Sequence, residues 1–249
     1  MNTFTYINGN LYCEGVDVAT IGEKFGTPSY IYSKKTIEDN AKSYVDSFTN
    51  SSNLACFAVK SLSNLSILKI IKDTGCGFDI VSGGELYRAI SIGADPKKII
   101  FSGVGKTTNE IELGIKSGIL SFNVESESEL FRIEKVANNI GYQAPVSIRI
   151  NPDIDSGGHD YITTGRKGDK FGVSDSNKVI DLCKYAHQSN GLTMVGLACH
   201  IGSQILDLDG YIESADKIFE LADNLRSSNI KLDFLDLGGG LGISYDNDE

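Results

Sequence analysis

Leu54-Ala55-Cys56-Phe57-Ala58-Val59-Lys60-Ser61-Leu62-Ser63-Asn64 is the stretch on which the fold turns. Its first six residues form a short apolar run that stops abruptly at a lysine and a polar turn, the pattern of a buried strand. From here onward, similar runs rich in Val, Ile and Phe alternate with longer helical patterns, which is how parallel βαβ units read. Seven such strands are expected, at residues 54–59, 77–81, 99–102, 120–124, 146–150, 194–200 and 233–237.

The intervening segments carry helix signals. Ser126-Glu127-Ser128-Glu129 has the form of a capping box, with Leu130, Ile133, Ala137 and Ile140 following at helical spacing. Thr107 and Glu110 repeat the device before Ile111 and Ile115, and Ile212, Ala215, Ile218, Phe219, Ala222 and Leu225 mark an amphipathic helix before the seventh strand. The fold class is therefore α/β, a (β/α)8 barrel of the TIM type over residues 33–249. Closure takes eight strands, and only seven precede Glu249, so the barrel is expected to be truncated after the seventh. Residues 1–32 read as an appendage: a hairpin around Asn8-Gly9, a short helix at 18–25 and a strand at 29–32.

Composition narrows the function. A net charge of −10 with no Lys/Arg cluster disfavours nucleic acid and anionic membranes, leaving a small molecule as the expected partner. The five cysteines are scattered and odd in number with no CxxC pair, so neither a metal cage nor a disulfide framework is expected, and a reducing cytoplasm is the simplest compartment. The amino terminus lacks a leader pattern, and no apolar run approaches the roughly 20 residues of a membrane span.

In a barrel of this kind chemistry gathers at the carboxyl ends of the strands. Lys60, Asp79, Arg149, His200 and the turn Gly238-Gly239-Gly240 fall there. Lys60, ending an apolar strand, is expected to be poorly solvated; it reads either as a snorkelling surface lysine or as a nucleophile able to condense with an aldehyde. The triple glycine reads as a phosphate-binding turn, as a purely structural one, or as a dinucleotide loop, though the last belongs in a first βαβ unit. His200 is either a core histidine or a ring that lies flat on an aromatic cofactor, with Ser203 nearby to offer a hydroxyl. Asp79 and Arg149 each have a structural ion-pair reading beside the functional one. Cys199 is expected to be a small core residue facing away from His200. The connection after the fifth strand, NPDIDSGGHDYITTGRKGDKFG (151–172), is too long for an idle turn and suits a binding site.

Taken in order, FAVKSLSN, GFDIVSGGEL, RINPDIDSGGHDYITTGRKGDKFG, CHIGSQ and DLGGGLGI resemble the motifs of the diaminopimelate decarboxylases, within the alanine-racemase-like class that includes ornithine and arginine decarboxylases. The resemblance covers about residues 4–246. It implies a pyridoxal 5'-phosphate (PLP) barrel in which Lys60 holds the cofactor, His200 lies against its ring, and Ser203, Gly238, Gly239 and Gly240 grip its phosphate. It further places Asp79 near the lysine end of the cofactor and Arg149 beside the ring, and assigns the 159–172 loop a part in substrate choice. Where the family reads His-Cys-His, this chain has Ala198-Cys199-His200.

The implied reaction is decarboxylation of meso-2,6-diaminopimelate to L-lysine and carbon dioxide, in lysine biosynthesis, by a homodimer in the full-length form. The family's ring-nitrogen Glu, in an EPGR-like motif, and its carboxyl-terminal β-domain lie beyond the matching segments. The chain alone is therefore expected to be inactive, as the front part of a longer enzyme. Two other readings stay open: a decarboxylase of another diamino acid, such as ornithine or arginine, and a noncatalytic homologous barrel.

Overall fold

The structure, a computed structural model, describes residues 3–47, 52–154 and 171–243. It divides into two units, Met1–Asp79 with Gly84–Lys98, and Ile80–Gly83 with Ile99–Glu249.

In the first unit, β1 (Phe4–Ile7) and β2 (Asn10–Cys13) form the expected antiparallel hairpin. Asn8 and Gly9 take φ of 50° and 84°, the left-handed pair that a two-residue turn needs to match strand twist. A third strand that the sequence reading missed, β3 (Val16–Asp17), pairs with β2. Asp17 then caps α1 (Val18–Phe25) by accepting the Ala19 amide, and Ser33 caps α2 (Lys34–Asp46). The strand expected at 29–32 does not form. Its alternating pattern meets no partner edge among the described residues, Tyr30 is 91% exposed, and an unpaired segment has no ladder to hold it extended.

The strand β4 (Cys56–Ala58) is shorter than expected and runs parallel to β5 (Gly77–Ile80), with Ala58 opposite Asp79. Between them, α3 (Leu65–Asp73) starts at Asn64, whose side chain accepts the amides of Ser66 and Ile67, and buries Ile67, Leu68 and Ile71. The helix α4 (Gly83–Ser91) follows β5.

The second unit repeats strand and helix: β6 (Ile99–Phe101), α5 (Thr108–Ser117), β7 (Ser121–Val124), α6 (Glu127–Ile140), β8 (Ala144–Ile150), α7 (Ser176–Gln188), β9 (Leu192–Cys199), α8 (Asp209–Ser227) and β10 (Phe234–Asp236). Its five strands pair in chain order, all parallel. Together with β4 and β5 they account for each of the seven strands read from the sequence.

Thr107 and Glu110 complete the expected capping box at α5. At α6 only half of the box forms. Ser126 accepts the Glu129 amide, but the Glu129 carboxylate turns inward to a buried lysine instead of returning to Ser126. The α8 stripe also differs from expectation: Ser214, Ile218, Leu221, Ala222 and Leu225 are buried, whereas Ile212 and Phe219 are exposed.

One face of β7 and β8 is apolar, with Phe122, Val124, Val146, Ile148 and Ile150 buried. That face meets helices: Gly114 of α5 sits so close over Phe122 that an added Cβ would lie 2.7 Å from the ring. The alternate residues Ser121, Asn123, Ser147 and Arg149 occupy the opposite face and are also buried. A buried polar face demands internal partners, and it marks the interior where a site is built.

Candidate functional site

In the first unit, β4 passes into a single 3-10 turn, Val59–Ser61. Val59 takes the buried position and Lys60 is turned outward, so its side chain is exposed and not poorly solvated as expected. Two bonds hold the turn: Ser61 Oγ donates to the Ala58 carbonyl at 2.7 Å, and Leu62 N to the Val59 carbonyl at 3.1 Å. Lys60 Nζ makes no ion pair among the described residues. Asp79 is half-buried and engaged with neighbours, at the end of the adjacent strand.

Arg149, His200, Ser203 and the three glycines lie in the second unit. His200 directly follows β9 and is half-buried; its Nδ1 accepts the Gly239 amide at 3.4 Å. The turn beside it is made of glycine for two separate reasons. Gly238 and Gly240 hold φ of 78° and 94°, and an added Cβ would fall 2.5 Å from the Cys199 carbonyl and 1.9 Å from the Gly202 carbonyl. At those positions only a residue without Cβ lets the backbones meet. At Gly239 an added Cβ would meet nothing within 4 Å. Packing does not explain that glycine; it leaves the outer side of the turn open. Ser203 is exposed. Cys199 is buried as expected, 3.1 Å from Ser214 Oγ of α8, and burial pushes its thiol up to about 11.

Asp236, at the end of β10, holds the turn from below. Its Oδ1 accepts the Gly238 amide at 2.9 Å, and its Oδ2 accepts Asn123 Nδ2 at 3.0 Å. Burial raises its pKa, against those hydrogen bonds and the positive charge of Arg149.

Arg149 is fixed on three sides. Its Nη1 donates to Glu125 Oε1 at 2.8 Å, its guanidinium lies 5.1 Å from the Phe171 ring centre, and its carbonyl accepts the Val173 amide at 2.9 Å. Glu125 Oε1 also accepts the Gly103 amide at 3.0 Å. Behind it, Lys106 is 1% exposed and donates to Gly103 O, Asn123 O and Glu129 Oε1, while Glu129 Oε2 accepts the Glu125 amide at 2.7 Å. Burial pushes the Lys106 ammonium below the ordinary lysine value, and the pull of Glu129 opposes it.

Sequence reading singled out none of Lys106, Asn123, Glu125, Ser147 or Asp236 for the site. A signal was present: polar residues recur every second position at Ser121-x-Asn123-x-Glu125 and Ser147-x-Arg149-x-Asn151, inside strands whose other residues are apolar. The loop expected to influence substrate choice lies outside the described residues, except for its last two positions.

Residues 34–249 match the family model described as pyridoxal-dependent decarboxylase, pyridoxal binding domain. A diaminopimelate decarboxylase of Pseudomonas aeruginosa is 43% identical over 249 residues, covering all of this chain and 60% of its own. Two solved diaminopimelate decarboxylases complexed with L-lysine are similar in structure. That of Helicobacter pylori has a TM-score of 0.87 and 42% identity over 92% of this chain and 59% of its own. That of M. jannaschii has a TM-score of 0.90 and 36% identity over all of this chain and 59% of its own. The chain thus spans about 60% of the length of the curated relatives it matches.

Proposed function

Since the chain belongs to the pyridoxal-dependent decarboxylases through their pyridoxal-binding barrel, we propose that it serves the decarboxylation of meso-2,6-diaminopimelate to L-lysine and carbon dioxide, in lysine biosynthesis. The observation that carries this reading is identity above 40% along the whole chain to enzymes named for that substrate. L-lysine in the similar solved structures supports it, lysine being the product of the reaction proposed.

The residues present suit PLP. Gly239 leaves open space beside the glycine turn, room that a phosphate needs, and the exposed Ser203 hydroxyl can add a hydrogen bond. On this reading Gly238, Gly239, Gly240 and Ser203 hold the phosphate, His200 lies on the ring, Arg149 stands beside it, and Asp79 is near its lysine end. Lys60 would anchor the cofactor through its side-chain amine. When bound, PLP supplies the electron sink for the bond that breaks to release carbon dioxide. Exclusion of water and return of a proton to the same carbon fall to the protein.

We further place the boundary between the amino-terminal extension and the barrel at residues 32 and 33, supported by a family match that begins at residue 34. A cytoplasmic location and a homodimer in the full-length form complete the proposal.

An absorbance spectrum tests the cofactor assignment: purified protein with PLP should show a visible-range band that Lys60→Ala abolishes. A spectrum unaffected by that substitution would overturn it. The substrate assignment is tested by turnover of meso-diaminopimelate against ornithine, arginine and lysine, in protein carrying this segment. Preference for any of the last three would favour the alternative diamino-acid reading.

A further inference from the structure

We propose that Glu125 is a positioning residue of the cofactor site, setting where the Arg149 guanidinium stands; the inference rests on the cofactor reading above. Glu125 is 5% exposed and sits one residue past β7, on the same polar face as Asn123. One oxygen, Oε1, does two things at once: it receives Arg149 Nη1 at 2.8 Å and the Gly103 amide at 3.0 Å. The other, Oε2, is buried without a hydrogen-bond partner among the described residues.

The backbone behind the Glu125 carboxylate is anchored. Its amide is bonded to Glu129, and Glu129 is bonded to Lys106, which also grips the carbonyls of Gly103 and Asn123. Gly103, one of the two donors to Glu125 Oε1, is thereby tied directly to the same buried lysine. Glu125 holds one end of the Arg149 guanidinium, and the Phe171 ring lies 5.1 Å from it. A flexible arginine beside an aromatic cofactor would lose rotamer freedom on binding; one already immobilised does not.

The test measures PLP affinity of the 249-residue chain by absorbance titration, with circular dichroism melts run in parallel. Glu125→Gln keeps an oxygen for Arg149 and Gly103 but removes the charge, and is expected to weaken PLP binding about tenfold. Where that variant does not fold, Glu125→Asp carries the same test, since it keeps the charge and withdraws it by one methylene. In an Arg149→Met background either substitution should have little further effect, because the residue being positioned is gone. Variants that melt lower yet bind PLP as the unaltered chain does, or effects that simply add to that of Arg149→Met, would overturn the proposal and leave Glu125 a folding residue. If the unaltered chain shows no Lys60-dependent band at all, the cofactor reading itself fails, and this inference with it.

Discussion

Lys106 and Glu129 form an ion pair of 3.0 Å with both side chains sealed from solvent. Removing one partner leaves the other charged and buried, a cost of about 3–5 kcal/mol, whereas replacing both with apolar residues of similar size is far milder. Lys106→Met is therefore expected to lower the urea midpoint sharply, and Lys106→Met with Glu129→Leu to recover part of the loss. The recovery is only partial, because Lys106 also satisfies two carbonyls and Glu129 the Glu125 amide. Chemical denaturation of the three proteins checks this; equal midpoints for single and double variants would contradict it.

The glycine turn separates stability from binding. Gly240→Ala forces a Cβ against the Gly202 carbonyl in a left-handed backbone and is expected to cost at least about 1–3 kcal/mol in stability. Gly239→Ala meets nothing and should leave the melting temperature nearly unchanged, while weakening phosphate-bearing ligands by filling the open side. Thermal melts paired with PLP titration distinguish the two, and a large stability loss in Gly239→Ala would refute the distinction.

Asp236 should impose a pH slope. Its folded pKa is raised above the ordinary 3.8, so the native carboxyl keeps its proton at pH values where the unfolded one has lost it. The native state then binds more protons, and stability falls as pH rises from about 3.8 through the folded value. Asp236→Asn lacks that slope, although it exchanges one acceptor for a donor opposite Asn123. Denaturation midpoints between pH 4 and 7 should decline more steeply in the unaltered chain than in the variant; parallel curves would disprove the assignment.

Two thiols should resist alkylation. Burial pushes Cys183 up to about 12 and Cys199 up to about 11, and the thiolate is the reactive form. At pH 8 iodoacetamide is expected to leave both unmodified in the folded protein and to label both in denaturant. Mass spectrometry of the digested protein measures this directly.

The strands were legible because each is a short apolar run between helical patterns, a signal that depends only on neighbours in sequence. All seven expected strands form, and the Asn8-Gly9 turn folds as its residue types require. What failed depended on tertiary partners. The Ser-Tyr-Ile-Tyr segment at 29–32 alternates like a strand but has no edge to join among the described residues. Ile212 and Phe219 carry helical spacing, yet burial in α8 is decided by the sheet it packs on. The box at Ser126 gave way because Lys106, 20 positions earlier, offers Glu129 a stronger partner. Polar residues at strand ends stood out from strand position alone. Asp236 did not, since nothing local distinguishes a carboxylate that holds a glycine turn from one in water, and Glu125 was marked only by the alternation of polar residues that runs along its strand.

The Glu110 carboxylate that closes the box on Thr107 also accepts the Gly83 amide, through Oε1 at 2.7 Å. One side chain thereby knots together two loops that sequence separates by more than 20 residues, the loop after β5 and the loop after β6. Neither can shift without tugging the other. A change made at the half-buried Glu110 would therefore be felt as slack in two loops at once.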